Sequence, residues 1–232
     1  MTKPQGTSDD EPPGHYASPA CSMHEVDPGY MGLSDPQAPS TRAEIMAWRK
    51  RERARLIALR LAMPIAERTG HAASIARHLD ALFPDLAGRV VSLYWPLRGE
   101  PDLRTWAHEI IARGGSCALP VVTVKQSPLA FHAWHPGAPL VRGIWDIPVP
   151  AEAREVIPDI LLAPVIGFDR KAYRLGYGGG YFDRTLAAFA SRPQVIGVGY
   201  AYASIPTIHP LDHDIGLDCV VTEQGCAVRR PD

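Results

Sequence analysis

The chain has 232 residues, a formal net charge of -1 and 46% hydrophobic residues, which suits one soluble globular domain with a substantial core. No apolar run reaches the ~18 residues of a membrane span, so we expect no membrane partner. The near-neutral charge argues against a dedicated nucleic-acid binder, so we expect no nucleic-acid partner either. The first residues lack a secretory signal and the four cysteines lack CxxC spacing, which together favour a cytoplasmic protein with reduced thiols.

The first 40 residues have the composition of a disordered extension. They carry seven of the 23 prolines, with Gly, Ser and Asp between them and no periodic apolar pattern. Such a segment buries too little surface to offset its ordering entropy. We therefore predict a Pro-rich disordered extension over residues 1–40 and a single α/β domain over residues 41–232.

A first helix is predicted to begin at Thr41, because Thr41 and Glu44 have the spacing of a capping box. Apolar residues then recur at spacings that place them near one helical face: Ile45, Trp48, Leu56, Leu59 and Met63. Six basic residues are assigned to the other face: Arg49, Lys50, Arg51, Arg53, Arg55 and Arg60. On its own this pattern favours a solvated basic surface, and Pro64 is expected to end or restart the helix.

The middle of the chain alternates predicted helices with apolar strands. The predicted strands cover residues 89–95, 116–122, 194–200 and 217–222, and predicted helices follow Pro64 and cover residues 103–113. A strand, a helix and a strand at this spacing imply a parallel crossover, with ligands outside the carboxyl ends of the strands. The sequence therefore predicts an α/β fold of three layers, a mainly parallel sheet with helices on both faces.

Two shorter segments, residues 129–134 and 143–150, are predicted as extended pieces broken by Pro and Gly. We expect a core or lid role for Trp145 in the second of them. His132 and His135 have no third metal ligand nearby, so we interpret them as surface residues.

The most informative stretch runs from Asp159 to Phe189. It opens with a predicted buried strand over residues 160–166 and closes with a predicted helical segment over residues 185–189. Between them, four glycines in the five residues 176–180 leave backbone N–H groups free to surround an anion. The positive end of the following helix points to the same place.

Charged residues flank this glycine loop, with Arg174 before it and Asp183 and Arg184 after it. Cations and a carboxylate beside a glycine loop indicate a phosphate site with a metal ligand next to it. A flexible surface turn is the alternative interpretation. The standard dinucleotide-binding and P-loop motifs are absent from the stretch.

Near the end of the chain, His209, Asp212, His213 and Asp214 lie close together in sequence. Such a group is compatible with a transition-metal site. Phosphate chemistry instead favours Mg²⁺, which prefers oxygen ligands and water, so we expect Mg²⁺ as the metal.

The segment GFDRKAYRLGYGGGYFDRTL, residues 167–186, resembles the signature of the 5-formyltetrahydrofolate cyclo-ligase family, also called 5,10-methenyltetrahydrofolate synthetases. The family pattern is close to GFD-x-x-G-x-RLG-x-G-x-GYYDR-x-L. The chain departs from it at Ala172, where the family usually has glycine, and at Phe182, where it usually has tyrosine. We predict that the backbone has adapted to a negative φ at Ala172. HPLDHDIGLDCVVTE, residues 209–223, is similar to the family's closing element, and the whole resemblance spans roughly residues 45–223.

The resemblance implies the ATP-dependent closure of 5-formyltetrahydrofolate to 5,10-methenyltetrahydrofolate, with Mg²⁺ as cofactor and ADP and phosphate as products. It implies an ATP site made of Arg49, Lys50, Arg53, Arg174, Leu175, Gly176, Tyr177, Gly178, Gly179, Gly180, Tyr181 and Phe182. It implies substrate contacts from Trp95, Glu100, Tyr177, Gly178, Gly179, Gly180 and Tyr181. The implied catalytic residues are Arg174 and Tyr181, and the implied Mg²⁺ ligands are Asp183 and Asp214.

Two other functions stay open at this point. One is a different α/β phosphate-binding enzyme, such as a sugar-phosphate isomerase or a CoA transferase, for which the sequence offers no strong general base or nucleophile outside the folate pattern. The other is a nucleic-acid-binding module that uses the Arg49–Arg60 face, which leaves the glycine loop unexplained. The loop itself lacks the basic residue that some family members carry, and Arg170, Lys171 and Arg184 are candidates to replace it.

Overall fold

The structure is a computed structural model that describes residues 38–230. The chain from Pro39 onward forms one compact unit. Residues 1–37 of the predicted extension lie outside the described residues, so its disorder and its boundary at residue 40 stay predictions. Within residues 38–230, no helix combines the length and the apolar character needed to cross a membrane.

The described residues contain four α-helices and eleven strands. The helices are α1 (Arg42–Ala62), α2 (Ile65–Leu82), α3 (Trp106–Ala112) and α4 (Tyr181–Ala188). The strands are β1 (Val90–Ser92), β2 (Ser116–Val121), β3 (Ala130–Trp134), β4 (Leu140–Arg142), β5 (Pro148–Pro150), β6 (Ile160–Pro164), β7 (Gly167–Phe168), β8 (Arg174–Leu175), β9 (Gln194–Val198), β10 (Cys219–Thr222) and β11 (Gly225–Arg229).

Seven strands form one sheet in the order β11-β10-β9-β6-β1-β2-β3. The five inner strands are parallel to one another, and the outer strands β3 and β11 pair antiparallel with β2 and β10. The pairs β4–β5 and β7–β8 form two small antiparallel hairpins. The predicted mainly parallel sheet is confirmed. The structure adds one strand that the sequence did not predict, β11, after the last predicted strand.

Both ends of α1 follow from local sequence. The Thr41 hydroxyl accepts a 3.2 Å hydrogen bond from Glu44 N, and the Glu44 carboxylate accepts a 2.9 Å bond from Thr41 N, so the predicted capping box is confirmed. The helix ends at Ala62 because the ring of Pro64 disfavours helical dihedrals at Met63, whose ψ is 131°. The chain restarts as α2 at Ile65.

Alternate residues of β6, the central strand of the seven, face two separate cores, as in a sheet that is covered on both sides. Ile160 and Leu162 pack with residues of α2 and α3. Leu161 and Ala163 pack on the other face, with residues of α1 and α4. The three-layer architecture that the sequence predicts is confirmed.

The order in which strands are added to the sheet reverses between the parallel strands β1 and β6. From β1 the chain runs through α3 to β2 on one side, and from β6 it runs through α4 to β9 on the other side. The two connecting helices lie on opposite faces of the sheet. A crevice therefore opens at the carboxyl ends of β1 and β6, where ligands bind in open α/β sheets.

The predicted faces of α1 are partly wrong. Leu59, assigned to the core, is 47% exposed, whereas Arg49 and Arg60, assigned to a solvated face, are 5% and 0% exposed. The face toward the protein carries Arg49, Arg53, Leu56 and Arg60, which recur at the helical spacing i, i+4, i+7 and i+11. The arginines occupy this face because backbone carbonyls and carboxylates lie opposite them.

Three local predictions also need correction. His132 is only 6% exposed, because β3 pairs with β2 on one side and His132 itself forms an antiparallel bridge with Glu155 on the other. Its assignment to the surface is therefore wrong. Trp145 is 58% exposed and belongs to no core, which leaves only the lid interpretation of this residue. The helix after the glycine loop begins at Tyr181, four residues before the predicted segment.

The prediction for Ala172 is wrong, because its φ is 59°. A tight turn between β7 and β8 fixes this conformation. Asp169 Oδ1 accepts hydrogen bonds from Lys171 N and Tyr173 N, and Ala172 O accepts one from Leu217 N at 2.9 Å. These bonds hold a strained left-handed residue that costs about 1–2 kcal/mol.

Candidate active site

A cavity of about 590 Å³ lies at the carboxyl ends of β1, β2 and β6. Every candidate site residue named from the sequence lines this cavity except Lys50, which is exposed on α1. The volume suits a small-molecule or cofactor site. The fold thus brings together residues from four distant parts of the chain, and it leaves Lys50 outside.

A second concavity of about 700 Å³ lies at the opposite, amino ends of β9 and β10. Its wall includes Arg192, Asp218 and Arg230 and none of the residues named from the sequence. Arg192 and Asp218 pair with each other at 2.5 Å. The candidate site residues therefore line the smaller cavity and not the larger one.

The glycine loop joins β8 to α4 at the cavity. Gly178 has a φ of 93° and Gly180, the N-cap of α4, has a φ of 64°, so both positions need a residue without a side chain. The loop leads directly into the first turn of α4, whose free N–H groups form the positive end of the helix. This arrangement suits an anion.

Arg53 connects α1 to the glycine loop. Its Nε donates a 2.7 Å hydrogen bond to Gly176 O, and its guanidinium lies so close to Gly178 that a Cβ there would be 3.3 Å from it. Burial, together with the charge of Arg49, lowers the pKa of Arg53. The loop and α1 therefore form one cationic wall.

Asp214, a predicted metal ligand, is bound by Arg49, a predicted phosphate ligand. Arg49 Nη1 and Nη2 donate to the two carboxylate oxygens at 3.2 Å and 2.5 Å, and Leu211 N donates at 2.6 Å. Burial acts to raise the pKa of Asp214, but the bonds from Arg49 and Leu211 outweigh it and hold that pKa below its usual value.

Asp183 is paired in the same way with Arg174. Arg174 Nη2 donates to Asp183 Oδ2 at 2.9 Å, and Ile215 N donates to Oδ1 at 3.3 Å. Burial lowers the pKa of Arg174, and its guanidinium lies 4.9 Å from the centroid of the Phe182 ring. We call the part of the cavity lined by Arg49, Arg53, Arg174, Asp183 and Asp214 the polar end.

The carboxylates of the polar end fit a hard divalent cation, since both offer oxygen donors to one cavity. Within residues 38–230, no group of three His, Cys, Asp or Glu side chains could hold a metal ion, so the histidine alternative receives no support. A cation bound by Asp183 and Asp214 needs further oxygens from phosphate or water, which is the usual habit of Mg²⁺.

The opposite part of the cavity, which we call the aromatic end, contains Trp95, Glu100 and Tyr177. The Tyr177 hydroxyl donates a 3.4 Å bond to Leu97 O, and the Arg98 guanidinium lies 5.9 Å from the Tyr177 ring centroid. Glu100 is 5% exposed, and Leu97 N donates to its Oε2 at 2.9 Å. Burial raises the pKa of Glu100.

Tyr181 also lines the cavity and contacts Trp145 and Arg184. Trp145 approaches the Tyr181 ring edge-on at 5.5 Å, and the Arg184 guanidinium lies 5.1 Å from the ring centroid. Arg184 Nη2 also donates a 2.5 Å bond to Gly179 O. Arg184, one of the basic residues considered as replacements for a charged loop, thus contacts the glycine loop.

Sequence reasoning missed several residues of the site: Met46, Tyr94, Leu97 and Arg98 line the cavity, and Arg60 lies behind Glu100. His213, which the sequence suggested only as a ligand of a transition metal, also lines the cavity. For Arg60 a signal was present, since it lies four residues after Leu56 on the same helical face. Met46 lies on an exposed position of α1, whereas Tyr94, Leu97 and Arg98 lie in the segment after β1, whose path no periodic pattern fixes.

A model of the 5-formyltetrahydrofolate cyclo-ligase family matches residues 45–223. A 5-formyltetrahydrofolate cyclo-ligase of Mycolicibacterium smegmatis is 30% identical over 178 residues, which cover 73% of this chain and 91% of that protein. One from Escherichia coli is 30% identical over 146 residues, covering 60% of this chain and 80% of that protein.

Solved structures agree with these relatives. The 5,10-methenyltetrahydrofolate synthetase of Aquifex aeolicus is 26% identical, covers 79% of this chain and 93% of its own, and superposes with a TM-score of 0.68. The synthetase of Mycoplasma pneumoniae shares the fold, with a TM-score of 0.63 at 20% identity and coverage of 75% of this chain and 98% of its own. The resemblance drawn from the glycine-loop signature is confirmed, and the chain belongs to the 5-formyltetrahydrofolate cyclo-ligase family of enzymes.

Proposed function

We propose that this enzyme converts 5-formyltetrahydrofolate to 5,10-methenyltetrahydrofolate in a reaction that consumes ATP, requires Mg²⁺ and releases ADP and phosphate. The observation that best supports the proposal is one cavity with two chemically different ends. Its polar end combines a glycine loop, three arginines and two carboxylates, and its aromatic end combines Trp95 and Tyr177 with a buried glutamate.

The chemistry explains why both ends are needed. An amide oxygen is a poor leaving group, so direct attack of N10 on the formyl carbon stalls. Transfer of the γ-phosphoryl group of ATP to the formyl oxygen releases ADP and converts that oxygen into a good leaving group. N10 then attacks the formyl carbon and loses its proton to water, and the C–O bond breaks with departure of phosphate. The protein must align the two substrates and stabilise charge on the phosphoryl oxygens.

The polar end supplies the phosphate site. Arg49, Arg53 and Arg174, with the amides of the glycine loop, bind the triphosphate. We assign Arg174 and Tyr181 to the junction of the two ends, where transfer takes place. Phosphate oxygens compete with Asp183 and Asp214 for the arginine donors, which leaves carboxylate oxygens free to hold Mg²⁺. Bound there, Mg²⁺ supplies positive charge to the phosphate oxygens.

The aromatic end supplies the folate site. Trp95 and Tyr177 present flat faces that suit a pterin ring. Glu100 offers a hydrogen-bond acceptor to the N–H groups at the edge of that ring. Trp145, exposed at the mouth and in contact with Tyr181, covers the junction.

The test is to follow the absorbance of the methenyl product with purified protein and 5-formyltetrahydrofolate. We expect conversion only when ATP and Mg²⁺ are both present. Conversion without ATP, or no conversion by protein whose circular dichroism shows a folded state, contradicts the proposal.

A further inference from the structure

Arg60 is a fully buried arginine near the end of α1. Its Nη2 donates a 2.6 Å hydrogen bond to Val165 O, and its guanidinium carbon lies 6.0 Å from the Tyr200 ring centroid. Its Nε and Nη1 make no hydrogen bond to any residue between 38 and 230. Because a guanidinium stays protonated in proteins, the protein holds a permanent positive charge here, beneath the cavity floor.

The opposite charge is the carboxylate of Glu100. Arg60 Nη1 lies 3.7 Å from Glu100 Oε1, with side-chain exposures of 0% and 2%. This distance gives Coulombic attraction without a hydrogen bond, and Oε1 has no hydrogen-bond partner within the described part of the chain. Such a pair is a poor stabilising device, because buried charges with incomplete hydrogen bonding seldom recover their desolvation cost.

The groups that face Glu100 leave Arg60 as its cation. Arg60 approaches from α1, Tyr94 from the segment after β1 and Tyr177 from the glycine loop. Burial raises the pKa of Glu100, while the Leu97 amide, Arg60 and the Tyr177 hydroxyl oppose that rise. Burial also raises the pKa of Tyr94 well above its usual value, so this phenol stays neutral.

We propose that Arg60 is a positioning residue that keeps Glu100 ionised and oriented at the aromatic end, so that Glu100 accepts a hydrogen bond from a ring N–H of the substrate. The inference about the charge of Glu100 depends only on the buried pair with Arg60. The identity of the ring that Glu100 binds rests on the proposed function. A protonated carboxyl in this position would place a donor against the donors of the ring.

The first experiment needs no substrate. Protein labelled with ¹³C at the glutamate carboxyl carbon is titrated by NMR, and the Glu100 signal is assigned as the one that Glu100→Gln removes. Wild-type Glu100 is expected to be ionised at pH 7. Arg60→Met removes a charge that favours the anion, so the midpoint should rise by about one pH unit or more. Arg60→Lys retains a cation and should return the midpoint toward the wild-type value.

The matched control is Arg55→Met, which removes an exposed arginine from the same helix. It should leave the Glu100 midpoint unchanged. A midpoint above pH 7 in the wild type, or equal midpoints in wild type and Arg60→Met, overturns the inference. If Arg60→Met does not fold, Arg60→Gln replaces it in the same comparison, because the amide removes the charge and keeps N–H donors for Val165 O.

The second experiment uses the reaction. In Arg60→Met the acidic limb of kcat/KM for 5-formyltetrahydrofolate should move to higher pH together with the Glu100 midpoint, while KM for ATP stays unchanged. An unmoved limb, or an equal rise of both KM values, contradicts the role in positioning. Failure of the wild type to form the methenyl product contradicts the proposed function and leaves the NMR titration as the judge of this inference.

Discussion

The polar and aromatic ends of the cavity treat buried charge in opposite ways. At the polar end, Arg49 and Arg174 bind their carboxylates through hydrogen bonds of 2.5–3.2 Å. At the aromatic end, Arg60 and Glu100 are 3.7 Å apart and share no hydrogen bond. Both ends line one cavity, and each pairs an arginine with a carboxylate. The two ends therefore differ in the geometry of the pair.

The difference teaches what each pair is for. Arginines that are hydrogen-bonded to carboxylates can exchange those partners for phosphate oxygens without leaving a charge unpaired. Arg60 and Glu100 share no hydrogen bond, so in our proposal Arg60 sets the charge of Glu100 and leaves its carboxylate to accept a hydrogen bond from a ligand. We therefore expect substitutions at the polar end to change ATP dependence and substitutions at the aromatic end to change folate dependence.

The largest effect is expected from Asp183→Asn. An amide is an uncharged and weaker ligand for a hard cation and also leaves Arg174 without its counter-charge, so kcat should fall by about 10²-fold or more. Turnover and its dependence on Mg²⁺ concentration are the measurements. Asp212→Asn, an exposed aspartate outside the cavity wall, is the control. Near-normal turnover with unchanged Mg²⁺ dependence would reduce Asp183 to a helix-start charge.

The double variant Arg49→Ala and Arg53→Ala is expected to raise KM for ATP at least about tenfold. Each charge-assisted phosphate contact contributes about 1.5–3 kcal/mol, and two are lost. KM for the folate should change less. Steady-state kinetics with each substrate varied in turn measure both values.

The control is Arg51→Ala combined with Arg55→Ala, which removes two exposed arginines from the same helix. If the buried-face and exposed-face double variants behave alike toward ATP, α1 takes no part in phosphate binding. If the exposed-face variant instead loses a salt-sensitive affinity for DNA or RNA, the basic face has a separate role in nucleic-acid binding.

A smaller effect is expected from Trp95→Ala at the aromatic end. Loss of one aromatic face should raise KM for 5-formyltetrahydrofolate by roughly tenfold or less, since aromatic pairs contribute about 0.5–1.5 kcal/mol beyond the area they bury. KM for ATP should stay unchanged. An equal rise of both KM values would show that the two ends are not separable.

Sequence reasoning predicted the features that local physics decides. The capping box at Thr41, the helix boundary at Pro64 and the parallel strands on either side of α3 are set by neighbouring residues and by apolar runs. The glycine-loop signature predicted the loop itself and two of the five polar-end residues, Arg174 and Asp183, as part of the cavity wall.

The remaining features depend on contacts across the fold. Arg49 and Arg60 are buried only because Asp214 and Glu100 arrive from distant segments, and no helical pattern distinguishes such arginines from solvated ones. The pairing of predicted metal ligands with predicted phosphate ligands likewise joins residues more than a hundred positions apart in one case. The positive φ at Ala172 was not predicted, although the glycine that the family usually has there was a signal for it, and part of its support comes from the distant Leu217.

The smallest expected effect, at Ala172, tests the turn that supports the polar end. Ala172→Gly relieves about 1–2 kcal/mol of left-handed strain but loses a buried methyl group, about 0.8 kcal/mol, and increases the entropy of the unfolded chain by a similar amount. The free energy of unfolding should therefore change by less than about 1 kcal/mol. Ala118→Gly, in strand β2 and equally buried, has no strain to relieve and should destabilise by about 1–2 kcal/mol. Urea denaturation of both variants measures the difference, and equal losses would show that residue 172 carries no strain in solution.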